Sequence, residues 1–175
     1  AYSLWAASRV GSGGRVIAIE PDPEMQRRLA FNLRSNGIGQ VEVCPLALSD
    51  HEGEAELLIS LRERGQNTLL HDEAGRTRGA RVAHKVRLRP LADVLRERGV
   101  ARVDALKIDI EGHEPPVLEH FFAHAPRALW PALAITEHMT STRGAIERLF
   151  LGNGYRRVLD NADNLGFRLH APPPR

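Results

Sequence analysis

Short runs of β-branched and apolar residues alternate with longer segments of helical spacing along almost the whole chain. That alternation constrains the fold more than any other feature, because it points to an α/β architecture with a mostly parallel sheet. Ala1 to Ser8 reads as a helix already under way, stopped by Gly11, Gly13 and Gly14. Arg15 to Ile19 (RVIAI) is a short buried strand closed by Glu20-Pro21. Asp22 can cap the following helix, and Pro23 suits a first turn that needs no backbone donor. Met25, Leu29 and Leu33 give that helix an apolar stripe at intervals of four, and Asn36-Gly37 ends it. Val41 to Leu48 reads as one further strand.

The pattern changes between His51 and Pro90. Glu54 to Leu61 and Val82 to Leu88 read as two strands of a hairpin-like addition, joined by a polar loop that carries Gly65, Gly75 and Gly79. Leu91 to Arg98 is a short helix stopped by Gly99. Val103 to Ile110 is a strand, Pro116 to His124 a helix, Leu133 to Thr136 a strand and Gly144 to Leu151 a helix. Tyr155 to Leu159 and Gly166 to Leu169 read as a final antiparallel pair. The expected organisation is one domain over residues 1–170, then a proline-rich tail over 171–175.

Composition narrows the function classes. The 175 residues are 42% hydrophobic and 26% charged, ordinary for a domain with a real core. No run approaches the roughly 20 apolar residues of a membrane helix. Cys44 is the only cysteine, so no disulfide can form within the chain, which leads to an expected cytoplasmic location. Cys44 lies in an apolar run and reads as a small buried hydrophobe. A net charge of +2 gives no argument for nucleic acid or membrane. Residues 61–90 hold eight basic and three acidic side chains but no aromatic residue for base stacking, so a solvated loop is the better account.

Two features carry chemistry. Glu20 closes a buried strand, which puts it at the carboxyl edge of the sheet, where open α/β folds bind ligands. A carboxylate there can accept hydrogen bonds from both hydroxyls of a ribose, and the alternative is that it helps to cap the next helix. The second feature is Lys107-Ile108-Asp109-Ile110-Glu111-Gly112. A strand covered on both faces should be apolar nearly throughout, yet Lys107 and Asp109 share one face of this one. Two charges in such a place must pair or serve a ligand. His120 and His124 stand four apart on a helix, a possible metal spacing, and His113-Glu114 could add a contact. Pro115-Pro116 would disturb such a site, and no metal is expected.

Taken together, VIAIEP at Val16 to Pro21, ALSD at Ala47 to Asp50 followed by Gly53, and LKIDIEGHE at Leu106 to Glu114 resemble the FkbM family of methyltransferases. Asn67-Thr68-Leu69-Leu70, Glu137 and Gly154-Tyr155 also resemble family features, and Ala1 to Leu4 is similar to the helix start after the family's glycine-rich motif. The resemblance spans nearly the whole chain. It implies a Rossmann-like class I methyltransferase fold, mostly parallel with an antiparallel last strand. The family's first strand and its D-x-G-A-N-x-G loop have no counterpart in these residues, and Gly11 to Gly14 cannot replace them because they precede the second strand.

The resemblance further implies S-adenosylmethionine as cofactor and a hydroxyl on a small molecule or glycan as acceptor. Carried over by position, Glu20 holds the ribose and Pro21 shapes the adenine wall, with Ala47, Leu48 and Ser49 at the adenine edge. Tyr2 and Asp109 lie toward the methionine end. Lys107, Asp109, Glu111, Glu137 and His138 are the candidates for orienting the acceptor or removing its proton. A non-catalytic scaffold that binds a partner is the alternative. An NAD-dependent oxidoreductase would share the ribose acid but leaves the KIDIEGHE string unexplained.

Overall fold

The computed structural model describes residues 2–60 and 81–170. Local chemistry sets its helices. Helix α1 (Tyr2–Val10) ends at Gly11, whose φ of +70° is the left-handed conformation that glycine takes at least cost. Strand β1 (Val16–Ile19) leads to helix α2 (Pro23–Ser35). Asp22 caps α2 as expected: its side chain accepts from the Glu24 N–H at 2.8 Å, and Pro23 opens the first turn. Asn36 and Gly37 close it, the latter at φ +64°.

The run from Val41 to Leu48 is not one strand. Pro45 brings no N–H to a ladder, and the Leu46 N–H bonds back to the Cys44 carbonyl at 3.0 Å. The chain therefore changes sheets there: β2 (Val41–Cys44) pairs with β1 in parallel, whereas β3 (Ala47–Leu48) joins β5 (Arg81–Arg89) through two residue pairs. Strand β4 (Gly53–Ser60) runs antiparallel to β5 along its whole length, which is the hairpin the sequence predicts. The connecting loop, with its three glycines and Asn67 to Leu70, lies outside the described residues, as do residues 171–175.

Helix α3 (Leu91–Glu97) then leads to strand β6 (Ala105–Ile108), helix α4 (Glu114–His124), strand β7 (Leu133–Glu137), helix α5 (Arg143–Gly152) and strands β8 (Tyr155–Asp160) and β9 (Asn164–Leu169). Strand β6 is shorter than the predicted Val103 to Ile110, and α4 starts two residues before the predicted Pro116. The order β6-β7-β9-β8 has β6 and β7 parallel and β9 antiparallel to both of its neighbours. The fold is thus mixed α/β as expected. Instead of one mostly parallel sheet, the described strands form three sheets, with as many antiparallel pairings as parallel ones.

One core nevertheless joins the β1-β2 and β6-β7-β9-β8 sheets, and Leu48 of β3 reaches it from the third. Phe121, Phe150 and Phe167 are fully buried, and Phe150 stacks on Phe167 with ring centroids 4.3 Å apart. Trp130 and Tyr155 bury their rings in the same cluster and satisfy their polar ends, the indole N–H on the Ala125 carbonyl and the phenol on the Pro131 carbonyl. Ile17 and Ile19 of β1 and Leu106 of β6 pack against it from the two sheets. Even so, among the described residues β1 pairs only with β2, and β6 only with β7. The third sheet has its own small core of Ala47, Leu57, Ile59, Val86 and Leu88. No helix among the described residues is long and apolar enough to cross a membrane.

Candidate functional site

The register between β6 and β7 builds the site. Lys107 lies opposite Ile135 and Ile108 opposite Thr136, so the next step along both strands sets Asp109 beside Glu137. Ile108 and Thr136 are buried, so the alternation of side chains turns the two carboxylates to the other face. The turn that follows brings in a third acid. Glu111 adopts φ +56° and Gly112 φ +95°, an unusual pair that folds the chain back over the strand end. As a result, Asp109, Glu111 and Glu137 each offer a carboxylate oxygen within 4.8 Å of the others.

Three carboxylates this close cannot all be charged at little cost. Burial works against the Asp109 anion, but hydrogen bonds from Glu137 and from the Lys107 ammonium, 2.9 Å away, outweigh it and hold Asp109 below the usual carboxylate range. Glu137 moves the other way, to about 8, through burial first and then through Asp109 and the neighbouring acids. Glu111 is pushed up to about 7 by burial and by the charges of Asp109 and Glu114. At neutral pH, Asp109 is therefore an anion that accepts a proton-bearing bond from Glu137, and Glu111 stands near the midpoint of its titration. The pairing of Lys107 with Asp109 is real, and it coexists with the cluster. The Tyr2 ring lies 5.2 Å from the Lys107 Nζ and brings the start of α1 to the same place.

The end of β3 approaches from another side. Ala47, Leu48 and Ser49 are buried. The Ser49 hydroxyl donates to Asp50 Oδ1, which also bonds His51 Nδ1 at 2.6 Å. His113, in the turn after Gly112, senses both Asp50 and His51, and burial depresses its imidazole pKa. That electrostatic influence places the β3 end near the carboxylate turn.

Glu20 follows the last residue of β1, and its N–H bonds the Cys44 carbonyl at 3.0 Å. Its Oε1 accepts from the Asp22 N–H at 2.9 Å, so part of the capping alternative holds. Burial raises its pKa. Pro21 beside it is half-buried.

His138 stands apart from the acids. Its Nε2 lies 3.2 Å from Arg143 Nη1 and 3.3 Å from the Asn161 carbonyl, which turns it toward the β8–β9 connection. His120 and His124 stack on each other at 4.1 Å. Among the described residues, the acids Asp109, Glu111 and Glu137 are the group close enough to share an ion, and neither of these histidines belongs to it. Cys44 is buried, as its apolar run predicts.

Sequence reading weighed Glu114 only as a metal contact beside His113 and as the end of the LKIDIEGHE string, and gave it no structural task. It is completely buried, and its Oε1 accepts from the Ile110 N–H at 2.7 Å. The available signal was an acid in the first turn of a helix that starts on two prolines, a place where carboxylates bond backbone donors.

Known proteins resemble the chain at the level of sequence. The model of the methyltransferase FkbM domain matches residues 1–169. AMB antimetabolite synthetase AmbE of Pseudomonas aeruginosa is 36% identical over 148 residues, covering 67% of this chain and 7% of AmbE. Methyltransferase sdnD of Sordaria araneosa is 29% identical over 174 residues, covering 85% of this chain and 67% of sdnD. No solved structure matches.

Proposed function

The chain belongs to the FkbM methyltransferase family, and from that premise we propose that it moves the methyl group of S-adenosylmethionine to a hydroxyl oxygen of a small molecule or glycan. The observation that carries this reading is the cluster of Asp109, Glu111 and Glu137 at the carboxyl ends of two parallel strands. The name of AmbE, an antimetabolite synthetase, supports a small-molecule acceptor. The finer fold reading is a Rossmann-like sheet in which β2-β1 and β6-β7-β9-β8 are two parts of one layer. Its support is the shared core and the strand edges of β1 and β6 that pair with nothing among the described residues.

The residues present fit the cofactor. Glu20 uses Oε1 on a backbone N–H, and no described group bonds Oε2, which leaves an acceptor for ribose hydroxyls. Pro21 would form the wall beside it, and the backbone of Ala47, Leu48 and Ser49 would meet the adenine edge. Tyr2 and Asp109 would serve the methionine end. When bound, the cofactor supplies an electrophilic methyl group for a direct displacement. The chain's own residues then hold the acceptor in line and take its proton. Glu111 is the base, because a group that titrates at about 7 is half available at neutral pH and still basic. Lys107 fixes the Asp109 anion, and Glu137 keeps its proton between itself and Asp109. His138, held by Arg143, orients the acceptor from the far side.

Calorimetric titration with S-adenosylhomocysteine tests the reading, with NAD as the competing ligand and Glu20→Ala as the control. Saturable binding should appear and should weaken by about tenfold or more in the variant, as the loss of charge-assisted bonds implies. A folded chain that binds neither ligand, or binds equally well without Glu20, would overturn it.

A further inference from the structure

We propose that Glu114 is a positioning residue for Glu111: by bonding the Ile110 N–H, it holds the turn that presents the Glu111 carboxylate to Asp109 and Glu137. The inference rests on the proposed role of those acids at the acceptor end, and it assigns a task to a side chain outside that set.

Burying a carboxylate without need is costly, and Glu114 is completely buried. Its Oε1 accepts from the Ile110 N–H at 2.7 Å, a bond that spans the turn, and the backbone N–H groups of Gly112 and of Glu114 itself also favour its charged form. That turn has little else to fix it. The His113 N–H reaches the Ile110 carbonyl only at 3.4 Å, and Glu111 sits at φ +56°, which a side chain other than glycine adopts only when its surroundings impose it. The following helix is rigid from its first residue, because Pro115 and Pro116 occupy its first positions. Glu114 therefore links a stiff helix end to the strained residue next to Asp109. Among the described residues Oε2 of Glu114 has no hydrogen-bond partner, so the bond across the turn to Ile110 rests on Oε1 and needs one acceptor oxygen there.

That last point makes the inference testable without cofactor or acceptor. Glu114→Gln keeps a carbonyl oxygen at the same reach, and Glu114→Ala removes it. Glu114→Asp keeps the carboxyl but is one methylene too short. The chain is labelled with carbon-13 at the glutamate carboxyls, Glu111 is identified with a Glu111→Gln variant, and its titration is followed by NMR. The groups that face Glu111 are Asp109 and Glu114, with Glu137 across the strand pair.

In the native chain Glu111 should titrate near 7. In Glu114→Gln it should stay well above the ordinary carboxylate range, and the Ile110 amide should remain protected from hydrogen exchange. In Glu114→Ala and Glu114→Asp, Glu111 should fall back to the ordinary range and Ile110 should exchange freely. Overturning results are a Glu111 titration that stays raised in the Asp variant, or a Gln variant that behaves like it. If the Ala variant does not fold, the comparison of Gln with Asp still decides. Failure of S-adenosylhomocysteine binding would reject the proposed function and leave this titration unaffected.

Discussion

Glu137→Gln offers a sharp test of the electrostatics. Glu137 titrates at about 8, against an ordinary 4.5, mainly because it is half-buried and then because Asp109 holds the neighbouring charge. Below pH 4.5 the folded and unfolded chains both carry this proton, so the group adds no pH dependence. Between there and about 8 the unfolded chain releases it and the folded chain keeps it, so stability falls as pH rises. Above about 8 the decline from this group is complete. At about 1.4 kcal/mol per tenfold step in proton affinity, the full difference is on the order of 5 kcal/mol. Solvent reaches part of the side chain, and the neighbouring acids titrate with it, which brings the observable share to about 2 kcal/mol. Glutamine cannot ionise, yet its amide N–H can still donate to Asp109. Urea unfolding of both chains at pH 5, 7 and 9 gives the measurement. The variant should match the native chain at pH 5 and exceed it by about 2 kcal/mol at pH 9. Stability curves that stay parallel from pH 5 to pH 9 would refute the reasoning.

Two further substitutions test the packing and the cap. Asp22→Ala should cost about 1–2 kcal/mol, because it removes the acceptor for the Glu24 N–H at the start of α2, and Asp22→Asn should recover most of that by equilibrium unfolding. Phe150→Ala should cost about 3–5 kcal/mol, since the ring is fully buried and stacked on Phe167, and the near-UV circular dichroism of the aromatic cluster should weaken with it.

Element types were largely legible in the sequence, because apolar spacing, caps and glycines are local signals. The Asp22 cap, the Asn36-Gly37 stop and the two antiparallel hairpins follow from residues within a few positions of each other. The division of Val41 to Leu48 was legible too, in Pro45, but the apolar character on both sides of the proline hid it. What lay beyond local reading was pairing at a distance. Asp109 and Glu137 are far apart in the chain, and only the β6–β7 register makes them neighbours. The LKIDIEGHE string marked a charged strand end without revealing which charge meets which. Glu114 belongs to that string, yet its burial depends on the turn folding over it. His138 shows the opposite case: it adjoins Glu137 in sequence, and the direction of its side chain takes it to Arg143 instead.

The aromatic cluster has an optical consequence. The chain has two tryptophans, and they occupy opposite environments: Trp130 is 8% exposed and wedged between Phe122 and the Arg127 guanidinium, whereas Trp5 on α1 is 64% exposed. Unfolding transfers Trp130 from a dry, ring-lined setting to water, while Trp5 stays wet throughout. The fluorescence spectrum of the native chain is therefore a sum of a blue-shifted and a red-shifted emitter. Its shape, more than its intensity, records whether the inner layer is closed. Trp5→Phe would leave an emission band that follows the core alone.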